Sequence, residues 1–381
     1  MRQLPRSAPG SGPGRLPSLT GLRFAAAGGV VFTHCALLSD PHLAADPGPQ
    51  VWVGASAVSL FFILSGYVLT LSARPADTAR SFWRRRAAKI LPNHVLTWCV
   101  VVVALVCAGD AATGSGPAAH LASLFLVHTW VPSLRYLSAG NPVCWSLAAE
   151  VFFYLLFPVL RPWVERLSRR GLLTAAGTAV ALAWLWPLLY TQVISPEQAF
   201  FPGYWLLYML PPARLPEFVL GMLAARFAAT GVRLPHLGVL PAALGVLSTV
   251  VVNSAVLPHP YLYAASTVVP LVVLVHAVAQ RDLENRPSLL RSRPLVALGE
   301  ISYAMYLVHL LVLGGLSVSL TALGWGRLWA VLAGLPLVLL ASWLLYAGVE
   351  RPCVRRFSAP RVVSQGRHRS PGRAPVGRGS V

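Results

Sequence analysis

Apolar residues in this chain come in long runs separated by short loops that carry the arginines, prolines and glycines. The runs cover approximately residues 22–38, 53–72, 90–108, 118–131, 143–160, 172–190, 215–227, 237–256, 262–279, 298–320 and 328–349. Most approach the ~20 residues that a helix needs to cross a hydrocarbon core. The pattern predicts an all-α protein, a polytopic bundle of transmembrane helices.

Loop charge decides how many runs cross. With the N-terminus inside, the loop holding Arg74, Arg80, Arg84, Arg85, Arg86 and Lys89 is also inside. If every run crossed, Arg161, Arg166, Arg169 and Arg170 would face outside, followed by Arg226 with Arg233, then Arg281, Arg286, Arg291 and Arg293, then Arg351, Arg355 and Arg356. That violates the cytoplasmic excess of basic residues in membrane proteins. Removing one run repairs every loop, and the weakest is 118–131, which is short and holds His120 and His128. The expectation is about ten crossings with both termini cytoplasmic, and one short re-entrant or interfacial segment.

Composition agrees: 56% of the residues are hydrophobic and 11% charged, which is the balance of a membrane protein. The net charge of +19 sits in loops and tails between apolar runs, so it argues for membrane orientation and against nucleic acid. Five cysteines, odd in number and without ligand spacing, predict neither a disulfide framework nor a metal site. Residues 1–15 and 358–381 read as disordered basic tails around a membrane domain at 16–357.

Against this apolar background the ionisable residues stand out, because each is costly in lipid and usually functional. Arg23 and His34 are eleven residues apart, close to three helical turns, which puts them on one face about 16 Å apart. Ser146, Glu150 and Tyr154 recur every fourth residue, and Glu150 needs a partner from another helix, with His34 or an arginine the natural candidates. A carboxylate behind a histidine fixes its tautomer and raises its basicity. Arg86 and Lys89 are one turn apart at the mouth of the third run; such a pair can grip a diphosphate, or simply anchor the helix. Lys89 is the single lysine. Ser302, Tyr306 and His309 share a face in the tenth run. Arg214 with Glu217 reads as a structural pair, and Ser65-Gly66 as a place where another backbone can approach.

Seven ordered blocks give a resemblance over nearly the whole chain. They are LPSLTGLRF with the following His34, FFILSGY at 61–67, RRRAAKILP at 84–92, WSLAAEVFFYLLFP at 145–158, RLPEFVLGML at 214–223, GEISYAMYLVH at 299–309 and VERP at 349–352. Together they resemble the acyltransferase-3 family of integral membrane O-acyltransferases. The resemblance implies acyl-CoA as a donor substrate on the cytoplasmic side, with no permanently bound cofactor, and transfer to a hydroxyl, commonly on a sugar. The family's Arg–x10–His motif falls on Arg23 and His34. Its Arg-x-x-Arg motif falls on Arg86 and Lys89, where lysine keeps the charge and loses the bidentate fork. The fused extracytoplasmic hydrolase-like domain that members often carry has no counterpart in this sequence, so the acceptor is expected to be handled by the membrane domain, alone or with a partner.

The expected roles follow. Arg23, Arg86 and Lys89 hold coenzyme A phosphates, His34 is the general base, and Glu150 orients it. Ser146, Tyr306 or His309 donates to the oxyanion or contacts substrate, with the choice open. No serine or cysteine sits in a nucleophile motif, so direct transfer is expected. A short acyl group is the default. A glycosylated natural product such as an antibiotic sugar is the first acceptor class, and a cell-envelope glycan the second. The location is the plasma membrane, and the oligomeric state is left open. The competing class is a proton-coupled transporter, although the half-to-half repeat that many carriers show is missing.

Overall fold

The computed structural model describes residues 16–73, 77–108, 114–194, 200–230 and 237–358. The expected tails, apart from Ser358, and Arg74 and Arg233 lie outside these residues. Ten long helices carry the fold: α1 (Pro17–Ser39), α2 (Pro49–Ser72), α3 (Ala79–Ala108), α4 (Cys144–Arg166), α5 (Arg169–Leu189), α6 (Leu215–Thr230), α7 (Val239–Val256), α8 (Val268–Leu283), α9 (Arg293–Ala322) and α10 (Arg327–Leu345). Among the described residues there is no strand.

Eight of these helices are long and apolar enough to cross a membrane. The other two, α6 and α8, have 16 residues each, or about 24 Å against a ~30 Å core. Both are entered through ordered turns, Pro211–Arg214 before α6 and His259–Leu262 before α8. The run at 118–131 breaks into a nine-residue helix, Gly116–Leu124, and a 3-10 turn, His128–Trp130. Leu126 between them has a φ of 58°, which ends any continuous helix, so this run is too short to cross.

The outside of the bundle is apolar. Val103, Val106, Leu240, Val318 and Trp329 each expose over 60% of their surface, a display that only lipid or a partner can cover. Inside, α2 is apolar nearly all round and is the most buried of the eight, as a central helix should be.

Backbone approach through glycine sets this centre. A Cβ at Gly66 of α2 would collide with the Phe218 carbonyl oxygen of α6, and a Cβ at Gly221 of α6 would collide with the Ile63 carbonyl oxygen of α2. The sequence expectation for Ser65-Gly66 is met here, with packing as its use. The same device holds α1, where Gly21 abuts the carbonyl of Leu290 and Gly299 of α9 abuts that of Thr20. Gly66→Ala should cost about 1–3 kcal/mol through overpacking, read as a lower midpoint in detergent thermal melts. An unchanged midpoint would show that these helices can separate freely.

Candidate active site

His34 of α1, half-buried, meets His309 of α9. His309 is fully buried. Its Nδ1 lies 3.1 Å from the Met305 carbonyl and 2.7 Å from the Tyr306 carbonyl. Both are acceptors, so Nδ1 carries the hydrogen, and in the neutral ring Nε2 is then an acceptor. That Nε2 lies 3.1 Å from His34 Nδ1, which is also 3.0 Å from the Val30 carbonyl. Two acceptors face His34 Nδ1, so it too carries the hydrogen. The lone pair of His34 is thereby placed on Nε2.

This corrects two expectations. The group that fixes the His34 tautomer is His309, and no described hydrogen bond joins His34 to Glu150. His309, with both nitrogens engaged, has no hydrogen to offer an oxyanion.

Glu150 lies elsewhere, between two adjoining cavities. One is lined by Arg23, Phe61, Ser146, Glu150, Tyr303 and Tyr306 among others. The second also contains Arg23, Phe61, Glu150 and Tyr303, and adds Arg86, Lys89 and Tyr154. The four-residue spacing in α4 does what the sequence implied: it turns Ser146, Glu150 and Tyr154 towards this interior. Tyr154 Oη accepts from Ser65 Oγ at 3.4 Å and lines the second cavity with Glu150.

At the head of the first cavity Ser146 Oγ and Tyr306 Oη are 2.7 Å apart, and Tyr306 donates to the Val143 carbonyl at 2.9 Å. Tyr306 therefore spends its hydrogen on the backbone. Ser146 donates to Tyr306 and can turn that donor to another acceptor. Tyr303, from the previous turn of α9, donates to the Ile90 carbonyl of α3 at 2.9 Å, which ties the cavity wall to the helix carrying the cations.

The cationic end holds a group that the sequence reading passed over. Lys89 is ion-paired to Glu350, whose other oxygen accepts from Asn93 Nδ2 at 2.8 Å. The Glu350 side chain is fully buried. It lies at the end of a π-helical stretch, Tyr346–Glu350, and such bulges reorient side chains at functional sites. Lys89 thus already has a counter-charge, whereas the buried Nε of Arg86 has no hydrogen-bond partner among the described residues. Glu350 follows directly on the last apolar run, 328–349, and the helix continues through it to Ser358, so its carboxylate is as costly there as that of Glu150.

Arg214 and Glu217 form a buried bidentate pair at 2.6 and 2.9 Å. Arg214 also donates to Ser59 Oγ at 3.0 Å and to the Tyr208 carbonyl at 3.1 Å, and its guanidinium lies over the rings of Phe62, Trp145 and Tyr208. Trp145 precedes Ser146, so this structural pair fixes the start of α4 and with it the head of the cavity.

The lipid-facing exterior and the long apolar helices define a multi-pass membrane protein with a polar interior at its core. The chain belongs to the acyltransferase-3 family: residues 16–347 match that family, which is described as an acyltransferase domain. It is therefore an acyltransferase. It is 37% identical to "Acyltransferase MdmB" of Streptomyces mycarofaciens over 92% of this chain and 94% of that protein. It is 28% identical to "Exopolysaccharide production protein ExoZ" of Rhizobium meliloti over 85% of this chain and 96% of that protein. With "O-acetyltransferase OatA" of Staphylococcus aureus it shares 30% identity over 39% of this chain and 25% of that protein. No solved structure shows significant similarity.

Proposed function

We propose that this membrane acyltransferase moves a short acyl group from acyl-CoA to a hydroxyl of a sugar-bearing acceptor. The observation that carries the reading is the histidine pair: the hydrogen bonds of His309 leave His34 Nε2 as a lone pair with no other task. A cationic cavity begins at Arg23, on the same helix as that base. An anionic donor with a reactive thioester tail fits such a layout, with Arg23, Arg86 and Lys89 around the coenzyme A phosphates.

In this reading the acceptor oxygen attacks the thioester carbonyl carbon as His34 Nε2 takes its proton. The oxyanion accepts from Ser146 Oγ. Collapse breaks the carbon–sulfur bond, and the coenzyme A thiolate leaves and recovers the proton from the His34 imidazolium. Glu150 balances Arg23 and Arg86 until the phosphates arrive. Placing the basic loops in the cytoplasm puts both termini and the donor entrance there, at the plasma membrane. For the acceptor, the names of relatives speak of exopolysaccharide in one case and O-acetyl transfer in another. A glycan hydroxyl fits both, and a hydroxyl on a glycosylated natural product such as an antibiotic sugar offers the same chemistry.

The direct test incubates purified protein with radiolabelled acetyl-CoA and a lysate of candidate glycosides. Label on an acceptor is the expected result. Flux of a small molecule across proteoliposomes with no label on any acceptor would support a transporter instead.

Donor binding offers a sharper test. Lys89→Arg should hold or improve coenzyme A affinity by restoring a fork. Glu350→Gln removes the carboxylate that competes for Lys89 and should tighten binding about threefold to tenfold, the range of one ordinary hydrogen bond. Calorimetry with coenzyme A reads both. A large loss in Lys89→Arg would remove Lys89 from the phosphate site.

A further inference from the structure

A third, larger cavity has no part in this chemistry. It is a groove on the lipid-facing side, walled by α1, α2, α7 and α8, and its floor is made of small residues including Ala26, Gly29, Ala57 and Ala243. Along α7 it runs from Val239 to Val250. The eleven helical steps between them are about 16 Å, close to one leaflet of a ~30 Å hydrocarbon core. The groove is too short for a crossing helix of a second chain, and its length matches a lipid acyl chain.

One end is charged. Arg281 lines the groove and also the polar cavity beside it, together with Gln280, Glu284 and Arg286. Arg281 donates from Nε to the Pro287 carbonyl at 3.1 Å, a bond that does not use its terminal nitrogens. Arg286 pairs with Glu284 at 2.8 Å, and Asp282 is held by the Ser18 amide and hydroxyl at 2.7 Å. Arg291 and Arg293 follow in the same loop, and Arg291 donates to Asn285. Four arginines against Asp282 and Glu284 leave this end net positive.

We propose that the groove holds one acyl chain of an anionic phospholipid, with its phosphate at Arg281 and Arg286. Apolar wall, one-leaflet length and cationic end are the three features such a lipid requires. The bound chain would complete the packing of α7, whose groove-lining Leu240 and Leu247 are largely exposed, against α1. The inference does not depend on the acyl-transfer reading.

Native mass spectrometry of the detergent-purified full chain, titrated separately with dioleoyl phosphatidylglycerol and dioleoyl phosphatidylcholine, tests it. The expected result is a persistent phosphatidylglycerol adduct, favoured about tenfold or more over phosphatidylcholine. Arg281→Gln with Arg286→Gln should remove most of that preference, at about fivefold per arginine. Ala243→Trp, which fills the groove, should abolish the adduct with both arginines in place. Arg286 is two-thirds exposed, so Arg286→Gln alone reads the headgroup contact in a folded protein, with an unchanged thermal melt as the control. Equal binding of the two lipids would overturn the anionic assignment. An adduct that survives Ala243→Trp would overturn the groove as its seat.

Discussion

His34→Ala should insert and melt like the parent protein and lose about 10²-fold or more in turnover, the scale of a missing general base. The expectation of normal folding has a structural basis. His34 gives its Nδ1 hydrogen to Val30 in its own helix and to His309, and the Val30 carbonyl lies in the helical ladder regardless. The loss should fall on kcat, with KM for the acyl donor little changed, because the cationic cavity is untouched. His309→Ala should behave differently. It removes the acceptor that holds the His34 tautomer and leaves the base itself, so a smaller loss and an altered pH–rate profile are expected. Near-parental turnover in His34→Ala would take His34 out of the base role.

The second large effect is on stability. Glu217→Ala should destabilise the bundle by about 3–5 kcal/mol, because it leaves a buried guanidinium without its countercharge. Arg214 is fully buried and its remaining partners, Ser59 and the Tyr208 carbonyl, are neutral. Replacing the pair together, Arg214→Met with Glu217→Leu, should cost much less than Glu217→Ala alone, since no charge is then stranded. Thermal melts in detergent, supported by expression yield, read both. If the single variant melts like the parent, Arg214 has a route to water that its burial denies.

Much of this was legible in the sequence because lipid imposes simple rules. Long apolar runs give the helices, and run 118–131 marks itself by its two histidines as one that breaks, whereas the shortness of α6 and α8 shows only in the structure. The cost of charge in an apolar run singled out Arg23, His34, Glu150 and Arg214. The four-residue spacing of Ser146 and Glu150 gave their shared face. Pairing across helices was the part that could not be read, since helical period fixes a face and says nothing about which face it meets. His34 could have met Glu150, and met His309. Lys89 stood as a free cation for phosphate until the fold brought Glu350, 261 residues away, against it. A π-helical turn shifts the register that a 3.6-residue period assumes, so Glu350 was the residue least accessible to pattern reading.

The glycine contacts between α2 and α6 bear on how a bulky acceptor could be admitted. Two backbones touching at Gly66 and Gly221, with carbonyl oxygens seated where Cβ atoms would be, behave as a single plate with no slack. On the α2 side the facing walls meet that plate through ring edges, Phe61 against Tyr306 of α9 at 6.1 Å between centroids and Phe62 against Trp145 of α4 at 6.4 Å, while on the α6 side Phe218 stacks on Phe153 of α4 at 5.0 Å. Edge-to-face rings tolerate sliding that interlocked backbones do not. Room for a bulky acceptor therefore has to come from a side of the chamber other than this plate, which offers the reactants a fixed surface.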